Sequence, residues 1–119
     1  MINNLLLVGA GGAVGSMLRY LCQRSFNTLV FPYGTLLVNI AGCFIVGLLA
    51  GIIAKNQLPD SLKLLFVAGF CGGFTTFSAF AYEGLQFMRT DQWLILSAYV
   101  SVSVFAGLVA CFFGYKLFI

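Results

Sequence analysis

The sequence predicts an all-α membrane protein with four transmembrane helices, and three observations lead to this fold class. Of the 119 residues, 61% are hydrophobic and only 8% are charged. Such a small number of charged side chains cannot form the polar surface of a soluble domain. The apolar residues form four long stretches separated by short polar connections, and about 20 helical residues cross a bilayer core of about 30 Å. We therefore expect a single four-helix transmembrane domain over residues 1–119.

Composition also excludes several classes of function. The formal net charge of +3 is too small for a nucleic-acid surface, which needs clustered Lys and Arg residues. The absence of histidine and the presence of only three acidic residues argue against an enzyme and against most metal sites. The four cysteines form no CxxC pair, and we interpret them as small buried apolar residues: Cys22, Cys43, Cys71 and Cys111.

The first span is expected over residues 5–21. Gly11 and Gly15 form a GxxxG pattern, and Gly12 and Ser16 repeat its spacing. Two overlapping rows of small residues favour close contact with another helix. Arg19 lies near the end of this span, where its long side chain can reach the membrane interface.

The second span is expected over residues 34–54, with Gly34 and Thr35 as the helix start after Pro32. Asn39 is its one strongly polar side chain. A polar residue in the middle of a span is costly unless it has a partner, so Asn39 either donates to an anion or bonds to another helix.

The third span, over residues 62–88, has a glycine pair followed by two threonines near its middle, Gly72 to Thr76. Vicinal glycines weaken a helix, and threonine hydroxyls can bond the carbonyls that an interruption frees. We therefore expect a broken third helix. The fourth span, over residues 93–115, begins and ends with aromatic residues suited to the membrane interface, Trp93 and Tyr115.

The basic residues do not select an orientation in the membrane. With four spans, three of them fall on each side: Lys55, Lys63 and Lys116 against Arg19, Arg24 and Arg89. Because the Lys/Arg bias sets the direction of insertion, this tie predicts insertion both ways round and an antiparallel homodimer. The alternative is that the tie is accidental and the first helix decides the topology.

Three segments resemble the CrcB/Fluc family of fluoride channels: Gly11–Tyr20, Gly34–Asn39 and Gly69–Phe80. They occur in the family's order, and the resemblance in length and number of spans covers the whole chain. It implies a dual-topology antiparallel homodimer with two narrow fluoride pores and a structural sodium ion at its centre.

Phe77 and Phe80 match the family's pore-lining phenylalanines. They are three residues apart and share a helical face, and the positive edge of a phenyl ring suits an anion. The alternative from spacing alone is packing, since Phe70 and Phe74 extend the same stripe.

Other residues of the fluoride pathway are implied by the same resemblance. The motif that ends in Asn39 favours a pore role for its amide. Ser78 either belongs to a line of hydroxyls that serves fluoride or bonds back to a carbonyl one turn earlier. Arg19 contributes to a positive vestibule. The fourth span has no comparable motif, and its candidate pore hydroxyls come from the residues alone: Tyr99, Ser101 and Ser103, whose spacing by two does not keep one helical face. The family often has threonine at position 79, where this chain has alanine, so one hydroxyl of that line is missing.

The sodium ligands implied by the resemblance are the backbone carbonyls of Gly72 and Thr75 from each subunit. Carbonyl oxygens suit a hard cation. The alternative is a glycine kink that serves helix packing. Glu83, one turn beyond Phe80, either lies at the pore mouth or pairs with a nearby donor.

The function expected from the whole sequence is passive, fluoride-selective export through a bacterial inner membrane. The main alternative is a small proton-coupled drug exporter, which would need an acidic residue in the first span, where there is none. A membrane assembly subunit is a second alternative, but it gives no reason for an interrupted third helix.

Overall fold

The structure is a computed structural model that describes residues 1–118. Its helical elements are α1 (Ile2–Phe26), α2 (Tyr33–Ala54), α3 (Asp60–Lys63), a π-helical segment (Leu64–Cys71), α4 (Gly72–Phe74), α5 (Phe77–Arg89) and α6 (Trp93–Lys116). Four stretches are long and apolar enough to cross a membrane: Ile2–Phe26, Tyr33–Ala54, Asp60–Arg89 and Trp93–Lys116. The prediction of an all-α protein with four membrane-spanning helices is confirmed.

The helix ends differ from the sequence prediction in two places. α1 continues through the polar residues Gln23 and Arg24 and ends only at Asn27, which has an extended backbone. The prediction that Thr35 starts the second helix is wrong, because α2 begins at Tyr33 and Pro32 occupies the N-cap position. The hydroxyl of Thr35 bonds to Glu83 instead of capping the helix.

Small residues on α1 bring it against the third span, as the GxxxG pattern predicts. Gly11 and Gly15 are buried. A Cβ atom on Gly11 would collide with the Leu65 carbonyl oxygen, and one on Gly15 would collide with that of Phe70. Since a methyl group at either position would push backbone away, the two glycines set how closely α1 and the third span pack.

A second glycine contact joins α2 and α6, which run in the same direction. A Cβ atom on Gly47 would collide with the Cys111 carbonyl, and one on Gly114 would collide with the Phe44 carbonyl. Neither of these two contacts was predicted from the sequence. They bring the backbones of α2 and α6 into direct contact.

The third span leaves helical geometry at two residues. Thr75 has φ −86° and ψ 159°, Thr76 has φ −152° and ψ 120°, and α5 begins at Phe77. The glycine pair that was expected to weaken the helix is itself helical, because Gly72 and Gly73 form α4 and Gly73 packs against Gly12. The Thr75 hydroxyl donates to the Cys71 carbonyl at 2.8 Å, and the same oxygen accepts the Thr75 N–H at 3.1 Å.

Candidate functional site

A groove of about 370 Å³ opens beside this interruption. The residues around it that bear on function are Asn39, Thr75, Thr76, Phe77, Phe80 and Ser103. Four of the six residues assigned to the fluoride pathway from the sequence therefore meet in one place, although they come from three different spans. The other two, Arg19 and Ser78, do not line the groove.

Phe77 and Phe80 form a pair at the start of α5. Their ring centroids are 5.7 Å apart and the ring planes are inclined by 43°. The Phe77 side chain is 79% exposed, so it is not part of this chain's core. The extended residues separate this pair from Phe70 and Phe74, which stack on each other at 5.3 Å. The four phenylalanines are thus two pairs and not one continuous stripe.

Asn39 bonds to the backbone of the interruption. Its Oδ1 accepts a hydrogen bond from the Thr76 N–H at 2.8 Å, and its Nδ2 donates to the Thr76 carbonyl at 3.0 Å. The first bond pairs the Thr76 N–H, which has no helical acceptor because Thr76 is the N-cap of α5. One N–H of the amide is not used in these two bonds, so Asn39 both holds the interruption and keeps a donor on the groove wall.

The two serines of the predicted pathway have different surroundings. The Ser78 Oγ lies 3.2 Å from the Thr76 Oγ1 and is exposed. The Ser103 Oγ is buried and has no hydrogen-bond partner among the described residues. Because an unpaired buried hydroxyl is costly, Ser103 is a candidate to bond a polar species in the groove. Ser101 is exposed and does not line it.

Arg19 of α1 bonds to the third span. Its Nε donates to the Gly73 carbonyl oxygen at 2.9 Å. That oxygen is at the C-terminal end of α4, where the exposed carbonyls carry partial negative charge. The arginine therefore places its positive charge beside the interruption.

The carbonyls of Gly72 and Thr75 both lose the N–H that would bond them in a continuous helix. The N–H of Thr76, four residues after Gly72, donates to Asn39. The N–H of Ala79, four residues after Thr75, donates to the Thr76 Oγ1 at 3.0 Å. The hydrogen bonds that stabilise the interruption thus divert donors from these two oxygens.

Glu83 pairs with donors, the second of the two roles considered for it. Its Oε2 accepts from the Thr35 hydroxyl at 2.7 Å and from the Asn27 Nδ2 at 3.3 Å. Its Oε1 accepts from the Tyr99 hydroxyl at 2.8 Å. The hydroxyl-bearing residues Thr35 and Tyr99 are fully buried.

This cluster is continuous with the groove. Thr35 is one turn before Asn39 on α2, Glu83 is one turn after Phe80 on α5, and the Tyr99 ring lies 5.0 Å from the Phe80 ring. Neither Thr35 nor Asn27 was predicted to bond Glu83, although the one-turn spacing of Thr35 and Asn39 indicates that both lie on one face of α2.

Comparison with known proteins finds a matching family and similar relatives. A family model described as CrcB-like protein, Camphor Resistance (CrcB), matches residues 6–115. A protein of Azobacteroides pseudotrichonymphae genomovar. CFP2 is 40% identical over 121 residues, which cover 98% of this chain and 97% of the relative.

Two further relatives match nearly their full length. A protein of Flavobacterium psychrophilum is 43% identical and one of Gloeothece citriformis is 44% identical, each with 95% of this chain and 94% of the relative covered. All three relatives carry the name fluoride-specific ion channel FluC. Their name is that of a channel and not of an enzyme.

Proposed function

This chain belongs to the CrcB family, and from that premise we propose that it is a fluoride-selective ion channel that exports fluoride and lowers its toxicity. The observation that carries the proposal is the groove where Phe77, Phe80, Asn39 and Ser103 meet. It combines ring edges, an amide and an unpaired hydroxyl, and none of the six residues named around it carries a formal charge. Its setting is a bacterial inner membrane, which the four spans cross.

Fluoride is small and strongly hydrated, so a pathway must replace its water with donors. The edges of Phe77 and Phe80 offer weak positive charge, the free N–H of Asn39 offers a donor, and Ser103 offers a hydroxyl. A formal positive charge at the same place would bind the anion too tightly for release. Arg19 lies close enough to raise the local concentration of anions, while its bond to Gly73 keeps it at the helix end.

The functional unit in this proposal is a dual-topology antiparallel homodimer with two pores. The balanced basic residues support both orientations. The exposed Phe77 ring and the open groove support a partner, because a single copy leaves the pathway open on one side. The interruption at Thr75 and Thr76 then acts as the broken helix where the two copies cross.

A structural sodium ion fits the interruption. The Gly72 and Thr75 carbonyls have lost their helix donors, Gly72 is exposed, and such oxygens are the ligands that a hard cation takes. Two carbonyls from each copy would hold the ion, which supplies positive charge that binds the two copies together. A fall in the unfolding temperature of the dimer when choline replaces sodium would support this site; an unchanged temperature would oppose it.

A proton-coupled exporter is disfavoured by the surroundings of Glu83. It is the only acidic residue within the four long helices away from their ends, and three donors already bond its carboxylate. An assembly subunit would leave the unpaired Ser103 hydroxyl in the groove without a use.

Flux through proteoliposomes separates a channel from a coupled exporter. Fluoride-loaded vesicles receive a membrane potential from potassium and valinomycin, with the same pH on both sides. We expect rapid fluoride efflux that needs only the potential. Efflux that requires a pH gradient would contradict a passive channel.

A further inference from the structure

Two thiols lie on the wall of the groove. Cys43 of α2 and Cys111 of α6 both line it, and both are free and partly exposed. This differs from the sequence interpretation, in which all four cysteines are buried packing residues. Cys71 is buried, as that interpretation expects, and neither Cys71 nor Cys22 lines the groove.

The glycine contacts between α2 and α6 bring the two thiols towards each other. The Cys43 Sγ is 3.3 Å from the position that a Cβ on Gly107 would occupy. Cys111 is one turn further along α6, and helical side chains tilt back towards the N-terminus, which here means towards Gly107. Because residue 107 is glycine, no side chain of that residue stands beside the Cys43 Sγ.

We propose that Cys43 and Cys111 form a binding site for a soft, two-coordinate metal cation such as mercury(II). Sulfur ligands select soft metals, whereas hard cations require oxygen ligands and carboxylates. The residues that line the groove include no carboxylate and no histidine. Linear coordination needs only two ligands, and two packed helices each supply one thiol to the groove wall.

The binding step is a simple exchange of ligands. Mercuric chloride and two thiols give one S–Hg–S bridge and two molecules of HCl. Two S–H bonds and two Hg–Cl bonds break, two S–Hg bonds form, and the protons leave with the chlorides. No atom changes oxidation state, so no oxidant or reductant is needed.

The consequence for flux rests on the proposed channel function. A metal bridge on this wall occupies space in the same groove as Phe77 and Phe80. Bound mercury therefore blocks fluoride efflux, and a thiol added later restores efflux by removing the metal.

The test uses full-length protein in which Cys22→Ser and Cys71→Ala leave only the two groove thiols. Intact mass spectrometry after treatment with mercuric chloride measures the adduct. We expect one mercury per chain with no chloride retained, together with loss of most fluoride efflux. Adding Cys43→Ser or Cys111→Ser to this background should give a chloride-bearing adduct on the remaining thiol, and mercury should be removed from it at lower thiol concentration.

The mass measurement reports mercury binding independently of fluoride efflux. Two separate chloride-bearing mercury adducts on the two-thiol protein would overturn the shared site and leave the cysteines as packing residues. A bridged adduct with unchanged efflux would overturn the block. The wild-type chain under the same treatment controls for damage by the background substitutions. If untreated protein carries no fluoride, the proposed function fails, while the mass measurement still decides the metal site.

Discussion

The Asn39 side chain forms a two-point hydrogen bond with the peptide of Thr76, accepting from its N–H at 2.8 Å and donating to its carbonyl at 3.0 Å. Thr76 is 37 residues away in sequence and lies on a different span. The residue that most clearly belongs to the groove by polarity is therefore also the residue that holds the interrupted backbone in place.

We predict that Asn39→Ala removes both bonds and leaves the Thr76 N–H unpaired in an apolar setting. At about 1 kcal/mol for each net hydrogen bond, the loss is roughly 2 kcal/mol of stability. Fluoride efflux should stop, and thermal unfolding in detergent should occur at lower temperature. Asn3→Ala, at an exposed position in the first turn of α1, is the matched control and should change neither. Normal stability with lost efflux would make Asn39 a pore donor alone.

Phe80→Ile should stop fluoride conduction and leave assembly intact, since isoleucine fills similar space but has no positive ring edge. Efflux from proteoliposomes and size-exclusion chromatography in detergent measure the two properties. Phe113→Ile is the control, because Phe113 is exposed on α6 and does not line the groove. Loss of the dimer in Phe80→Ile would return this ring to a packing role.

Gly15→Ala should destabilise the fold, because the added methyl would meet the Phe70 carbonyl and the Phe74 amide. Overpacking of this kind typically costs about 1–3 kcal/mol. Gly9→Ala, on the same helix with nothing within 4 Å of the new Cβ, should be neutral or more stable by up to about 1 kcal/mol. Unfolding temperatures of the two variants, compared in one detergent, test the contact. Equal effects would mean that α1 is not held by this glycine.

Dual topology predicts that one position is reached from both sides of the membrane. A cysteine at position 57, in a chain whose four natural cysteines are replaced, should show one fraction labelled by an impermeant maleimide from outside and another labelled only after permeabilisation. Because the basic residues are balanced, adding Asn56→Lys or Gln92→Lys to the labelled chain should shift the population in opposite directions. A single labelled population would refute both the dual topology and the antiparallel dimer.

Much of the fold follows from hydropathy and spacing. The number of spans follows from the four apolar stretches, and the close approach of α1 follows from Gly11 and Gly15. The interruption lies within the segment expected from the sequence, Gly72 to Thr76, but at its threonines and not at its glycines. Gly72 and Gly73 have the lowest helix propensity there, but both are helical, and the small size of Gly73 is used for packing against α1. The extended residues are the threonines, whose bonds to Cys71, Ala79 and Asn39 stabilise that geometry.

The candidate site, like the fold, could be predicted from the sequence only in part. Four groove residues could be named from the sequence because each is polar or aromatic within a span, and three of them lie in a motif: Asn39, Phe77 and Phe80. The partners of Arg19 and Glu83 could not, because they depend on how spans distant in sequence cross. Arg19 reaches a carbonyl 54 positions away, and Glu83 bonds a threonine 48 positions away. The residue types around Arg19 or Glu83 in the sequence do not indicate which distant residue each will bond.

The selectivity of the channel for fluoride over chloride is measured by comparing the efflux of the two anions. Identical proteoliposomes containing the purified chain are loaded with fluoride or with chloride, and efflux of each anion is recorded after a potential is applied. The groove of ring edges, amide and hydroxyl predicts fast fluoride efflux and chloride efflux no greater than from protein-free vesicles. Chloride efflux comparable to that of fluoride, or no efflux of either anion, would contradict the account.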